Sequence, residues 1–450
     1  MSDETRDAAV GRLWRDETPY ELLSELAALP ERMGGHPGER KASGLVADAL
    51  AEAGVRDVET QSFEMRRWNR GTTELAVVEP VQRSFEALAL PYSPAGDLEA
   101  ELVDVGYGTP EEIEATDVRG KVAVASTTTP PGRRFVHRME SFGHAVAAGA
   151  EAFVFANHEE GQLPPTGSLR FGAEAAAPGV GVSHETGKWL REYATRDGRV
   201  RLRVDASTEP ATSQNVYGVL GSDDSRAGAA EPDDEIVVVA HYDAHDIAEG
   251  ALDNGCGVAV LVGAARLLAE LDLGCRVRVA GVGCEEVGLL GAEALAESLD
   301  PNRVRAVVNL DGAGRFRNLR VLTHASEALG DLTERVADEV GRPIHVDGDP
   351  HPYSDHWPFL REGVPSVQLH SQPPDGGRRG RGWGHTEADT LDKVDSRNLR
   401  SHAILTALLI EALSRTDPPR IDEVDLRAAL LEEDLEAGMK AADVWPENWG

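Results

Sequence analysis

The sequence predicts an α/β fold, a sheet with connecting helices, carried together with a separate β-rich module. Three observations point there. From Asn215 onward, short apolar runs alternate with helix-period stretches, the order in which strands and crossover helices build a sheet. Between about Glu79 and Ala211 the texture changes to short β-like runs broken by Pro and Gly. The length of 450 residues also exceeds what one hydrophobic core usually grows to, so two domains, or one domain with a large insertion, are expected.

Near the amino terminus, ERKASGLVADALAEAG reads as an amphipathic helix ending at Gly54, and VRDVETQSFEM as a strand. In the middle module, KVAVAST and AFVFANH are strand-like. EIVVVAHYD is then a buried strand, and GVAVLVGAARLLAELDL a helix with Val258, Leu261, Val262, Ala265 and Leu268 on one face. RVRVAGVGCEE, RAVVNLDGAG, NLRVLTH and VPSVQLHS are four further strands, and DSRNLRSHAILTALLIEALS is a closing helix. The acidic IDEVDLRAALLEEDLEAG is predicted to add one more helix, packed on the domain or used between subunits, which leaves a homo-oligomer open. No internal repeat at solenoid periods is present in the sequence.

The formal charge of -33, from 78 acidic against 45 basic residues, is spread along the chain and argues against a nucleic-acid partner. Lysine is rare and arginine supplies nearly all the positive charge, a pairing that resembles salt-adapted cytoplasmic proteins. Such a surface keeps a protein soluble by self-repulsion while counter-ions screen the strain. Cys256, Cys275 and Cys284 are too few for a disulfide framework, which favours a reducing compartment. The start, MSDETRDAAVGRLWRDE, is acidic where a signal peptide needs a basic and then an apolar run, and no apolar stretch reads as long enough to cross a bilayer. A cytoplasmic protein without a membrane partner is the expectation.

The candidate chemistry gathers where apolar strands end. His241, Glu285, Glu286 and Asp311 follow strand runs, and Asp253 closes a loop leading into a helix. Ligands of open α/β sheets gather at the strands' carboxyl ends. One imidazole and three carboxylates there suit zinc, with Mn²⁺ or Co²⁺ as substitutes, and His385 would supply the missing nitrogen. Each piece also has a plainer reading. His241 in His241-Tyr242-Asp243 is equally a strand-end histidine satisfied by a neighbouring acid, and Glu285-Glu286 a solvated helix start. Asp311 also suits an N-cap or turn. In the functional reading Asp243 accepts the second ring N–H of His241 and fixes its tautomer.

Taken in order, HYD, GALDN, CEEVGLLGA, NLDGAG, SDHWPF and GHTEADTLDKVD resemble the two-zinc metallopeptidase family of aminopeptidases and glutamate carboxypeptidases, from Asn215 to about Ser414. The resemblance implies a first zinc on His241 and Asp311, a second on Glu286 and His385, and Asp253 bridging both. It assigns Glu285 as general base and Asp243 as the carboxylate behind the first histidine. GKVAVAST, HAVAAGAEAFVFANH and GVGVSHETGKWL look like a protease-associated domain inserted in such enzymes. The implied fold is an α/β/α sandwich around a mixed sheet, the zinc exopeptidase fold. The expected division is residues 1–78 and 212–416 for the catalytic domain, 79–211 for the protease-associated insertion and 417–450 for an acidic helical extension.

Two positions depart from the family pattern. Where several relatives place an oxyanion-binding tyrosine before the last zinc histidine, this chain has Gly384, and Tyr353 beside Ser354-Asp355-His356 is the substitute candidate. Cys256 stands where serine or alanine is common, and both it and Cys284 read as small packing residues. The implied activity is hydrolysis near a peptide terminus. Glu249 is a candidate to attract a free amine, and the loop carrying Arg378, Arg379 and Arg381 a candidate for a carboxylate or a solvated turn. An aminopeptidase is expected first. Alternatives are a carboxypeptidase or dipeptidase, a one-metal glutaminyl cyclase, or a non-catalytic receptor-like binding module.

Overall fold

The computed structural model describes residues 3–130, 132–161, 163–221, 234–373 and 382–450, and the chain divides into two compact units. The first comprises Met1–Glu64, Thr212–Gly384 and Asp389–Glu432, and the second Met65–Ala211, His385–Ala388 and Glu433–Gly450. Two long strands, Arg56–Glu79 and Arg199–Leu220, each run from one unit into the other. The change of texture near residue 79 thus falls at the end of a strand, and the second unit begins at Met65.

The first unit is built on a mixed sheet. Ser366–Gln372, Val304–Leu310, Glu235–His241 and Arg276–Val282 lie side by side and parallel, in that order. Asn318–Leu322 joins one side antiparallel to Ser366–Gln372, with Ile344–Asp347 beyond it, and Val216–Leu220 joins the other side antiparallel to Arg276–Val282. Every strand read from the apolar runs of this half is present.

Glu235–His241 is buried along its whole length, and its side chains alternate between two cores. Ile236, Val238 and Ala240 enter a large cluster shared with the helices Thr18–Ala27, Cys256–Leu268 and Ser396–Leu413, whereas Val237 and Val239 pack with Leu295, Phe359 and Val364. This explains the unbroken apolar run, since a strand covered on both faces needs no polar alternation. Each such valine removed from water contributes roughly 1.5–3 kcal/mol.

The helix Cys256–Leu268 departs from the one-face expectation, because all its residues except Arg266 are buried. It is covered by the sheet on one side and by other helices on the other. Gly263 lets Ser396–Leu413 approach, since a Cβ there would sit 2.9 Å from that of Ala403. The segment Ala251–Leu268 is, by length and composition, apolar enough to cross a membrane, contrary to the reading that no such stretch exists. With 94% of it buried inside the protein, it occupies the place of a core helix.

The second unit carries the module read from the middle of the sequence. Gly96–Asp104, Val122–Ser126, Ala152–Ala156 and Gly179–Val182 run parallel in that order. Two helices, Arg138–Ala147 and His184–Ala194, accompany them, so the β-rich texture hides a local α/β layout. Ser183 caps the second helix by accepting from Thr186 N. Phe142, Phe153 and Phe155 centre the core. The acidic carboxyl-terminal stretch forms two helices, Glu423–Glu432 and Glu436–Ala441, instead of one, with Asp434 between them at a φ of +55°.

Candidate metal centre and catalytic acids

Three adjacent parallel strands deliver the centre. His241 is the last residue of Glu235–His241, Glu285 and Glu286 follow Arg276–Val282, and Asp311 follows Val304–Leu310. One donor atom each from His241, Glu285 and Asp311 lies within 4.8 Å of the others. Asp253 comes from the turn Ala251–Gly255 at the head of the buried helix, and its Oδ1 is 3.6 Å from His241 Nε2. Gly257 is required there, because a Cβ would stand 2.4 Å from the carbonyl oxygen of Leu310.

His241 Nδ1 lies 3.2 Å from the carbonyl oxygen of Asp243 and 3.4 Å from its Oδ1. A carbonyl only accepts, so Nδ1 is a donor there and Nε2 is the ring atom turned toward Asp253. The Asp243 carboxylate, expected to stand behind the imidazole, also accepts the backbone N–H groups of Glu285 and Glu286, at 3.1 and 3.2 Å. Asp311 Oδ2 accepts from Ser354 Oγ at 2.8 Å and Gln368 Nε2 at 3.1 Å, which aims the carboxylate.

Burial opposes charge on His241, but Glu285, Asp243 and Asp253 outweigh it and raise its pKa well above the usual value. Desolvation pushes Glu285 well up; His241 opposes the shift, and Glu286, Asp311 and Asp355 add to it. Asp355 is pushed up to about 8 by burial and by neighbouring acids.

Several contributors were not picked out from the sequence. Arg315 is buried, with Nη2 2.7 Å from Asp253 Oδ1 and 3.5 Å from Asp311 Oδ1, and its Nε donates to Leu252 O. Asp389 accepts from Leu252 N at 2.6 Å and Asp253 N at 3.0 Å, so it fixes the backbone carrying Asp253. Burial and the Asp253 charge raise its pKa to about 6. Asp355 is fully buried, and neither carboxylate oxygen has a hydrogen-bond partner among the described residues. His245 sits with Nε2 3.0 Å from Glu286 Oε2. Asp355 and Asp389 lie inside motifs quoted above, SDHWPF and GHTEADTLDKVD, so the signal was present but only neighbouring residues were drawn from it.

His385 belongs to the short segment His385–Ala388, which groups with the second unit. Its carbonyl accepts from Thr166 N, and its Nδ1 lies 3.2 Å from Thr166 O, which again makes Nδ1 the donor. Its φ of +62° is a costly conformation for a histidine, of the kind found at functional positions. Tyr353 is half-buried, with its ring edge-on to His351 at 5.8 Å. Glu249 accepts from Leu391 N at 2.6 Å. Arg378, Arg379 and Arg381 lie outside the described residues. Burial raises the thiols of Cys256 and Cys284, as suits packing residues and not nucleophiles.

Buried carboxylates that raise one another's pKa, one with both oxygens lacking a hydrogen-bond partner among the described residues, and imidazoles whose Nδ1 faces a carbonyl fit a cation. Nitrogen and oxygen donors of this kind suit zinc. The fold and this donor set define a metal-dependent hydrolase built on strand ends.

Known proteins show what the chain is similar to. Residues 215–410 match Peptidase family M28, and residues 97–190 match the PA domain. Aminopeptidase YwaD of Bacillus subtilis (strain 168) is 27% identical over 423 residues, covering 91% of this chain and 87% of that protein. The solved aminopeptidase from Aneurinibacillus sp. strain AM-1 is 26% identical with a TM-score of 0.69, covering 92% of this chain and 97% of the other. BSAP, a zinc aminopeptidase from Bacillus subtilis, is 25% identical with a TM-score of 0.68, covering 90% and 98%. The chain is thus similar to peptidase family M28 over residues 215–410 and to the PA domain over residues 97–190. It is a metallopeptidase, and its substrates are peptides.

Proposed function

We propose that this protein is a two-zinc aminopeptidase that releases residues from the free amino end of peptides. The observation that carries the reading is the convergence of His241, Asp253, Glu285 and Asp311 at the carboxyl ends of neighbouring strands. The names of the similar aminopeptidases support the choice of terminus. His241 and Asp311 would hold one metal, Glu286 and His385 the second, and Asp253 both. Zinc held there supplies Lewis-acid polarisation of the scissile carbonyl and lowers the pKa of water, with Co²⁺ or Mn²⁺ as substitutes.

The protein's own groups do the rest. Glu285 takes the proton of the attacking water and passes it to the leaving amine, base first and acid afterwards. Desolvation and neighbouring acids, which raise its pKa, strengthen it as a base. Asp243 keeps Glu285 aimed by holding its backbone N–H. Tyr353 is the candidate donor to the developing oxyanion. Glu249, with one oxygen on Leu391 N, keeps the other for the substrate's ammonium group. All three cysteines are free, which supports a cytoplasmic setting.

The test is metal analysis of the purified protein together with turnover of aminoacyl, N-blocked and dipeptide substrates at high salt. Two zinc equivalents and cleavage restricted to free amino termini are expected. Equal cleavage of N-blocked peptides would overturn the assignment of terminus, and fewer than two equivalents at saturation would overturn the two-metal site.

A further inference from the structure

The loop between the first histidine and Asp253 carries a second imidazole that the five-ligand pattern does not use. His245 follows the strand Glu235–His241 by four positions, and its side chain is 4% exposed, as is that of Glu286. Its Nε2 stands 3.0 Å from Glu286 Oε2.

That separation has two physical meanings. It suits a charged imidazole donating to the carboxylate. It equally suits two donors on one zinc, because bonds of about 2.0–2.2 Å at angles of about 90–110° place neighbouring donor atoms roughly 3.0–3.6 Å apart. The expected pair of His241 Nε2 and Asp253 Oδ1, at 3.6 Å, lies at the wide end of that range. The surroundings decide between the two meanings. His245 and Glu286 are both buried, and a buried imidazole and carboxylate facing each other at this distance suit a shared cation.

We propose that His245 is an additional ligand of the metal held by Glu286. This rests on the two-metal reading above. With Glu286 assigned to that metal, His245 would add a second donor from the same unit, and the added imidazole would hold that metal more tightly than the carboxylate alone.

The experiment is titration of the metal-free full-length protein with Zn²⁺ and Co²⁺ against a competing chelator, with Co²⁺ absorption followed in the visible. The variants are His245→Gln and His245→Ala. Glutamine keeps the size and the hydrogen bond to Glu286 but is a poor zinc donor. Both variants should weaken one of the two sites by ~10-fold or more, leave the other within about threefold, and change the Co²⁺ bands of the affected site. Wild-type affinity and bands in His245→Gln would show that the imidazole only hydrogen-bonds to Glu286 and would overturn the proposal. Equal weakening of both sites would also overturn it, by pointing to general loosening. A wild-type protein binding fewer than two metals would remove the two-metal reading itself, an outcome distinct from any difference between variants. Thermal unfolding of the metal-free variants checks that they fold.

Discussion

The two carboxylate oxygens of Asp243 each accept one backbone N–H, from Glu285 and from Glu286. One buried side chain at the end of one strand therefore sets the height of two acids at the end of the next. Asp243→Asn should break this arrangement, because the amide offers one acceptor and turns two hydrogens toward a backbone donor. An unsatisfied buried donor costs about 1–3 kcal/mol. Urea unfolding of the metal-free protein should show a loss of that size, and a change below ~0.3 kcal/mol would remove the support assigned to Asp243.

Glu285→Gln should keep both metals and lose most of its turnover. The amide is nearly the same size but cannot take the water's proton, so kcat should fall ~10²-fold or more while KM moves much less. Glu286→Gln should instead weaken metal retention at one site. Metal analysis and steady-state kinetics decide it, and zinc lost from Glu285→Gln but kept by Glu286→Gln would reverse the two roles.

Exhaustive chelation should abolish peptidase activity, with Zn²⁺ or Co²⁺ restoring it. It should also lower the melting temperature, since the buried acids then face one another without a cation. Rebinding at a hundredfold excess over Kd stabilises by about 2.7 kcal/mol. Activity that survives confirmed metal loss would contradict the mechanism.

Acid should destabilise the fold through histidines buried in neutral form. Burial lowers the pKa of His402 to about 4, and its ring bridges Gly314 N and Arg317 O. The unfolded chain, with a histidine pKa near 6.5, takes up the proton first. Stability from this group is thus complete above pH ~6.5 and drains away as pH falls toward 4, by about 2–3 kcal/mol at pH 4.5. His356 and His370, also lowered to about 4 by burial, add to the slope. Unfolding free energies at pH 7 and 4.5 should differ less in His402→Gln than in the wild type, and equal differences would refute the assignment.

What the sequence made legible was local. His241, Glu285, Glu286 and Asp311 could be found because each ends or follows a short, largely apolar strand, and strand ends converge in a parallel sheet. What stayed hidden was contact between distant segments. Arg315 on Asp253, and Asp389 beneath the backbone of Leu252 and Asp253, depend on how loops from different strands meet. No periodicity encodes that. The helix Cys256–Leu268 was read as one-faced for a similar reason: its outer cover comes from Thr18–Ala27 and Ser396–Leu413, far away in the chain.

Neighbouring strands of a sheet lie about 4.8 Å apart, and here they act as a ruler for chemistry. His241, the Glu285–Glu286 pair and Asp311 hang from consecutive rungs of that ruler. Their spacing is a property of backbone pairing and not of the intervening loops. Insertions between the rungs can therefore change what is admitted to the centre without altering the distances on which proton transfer depends. Reactivity and selectivity are thus inherited separately: the first is written in the pitch of the sheet, and the second is free to drift.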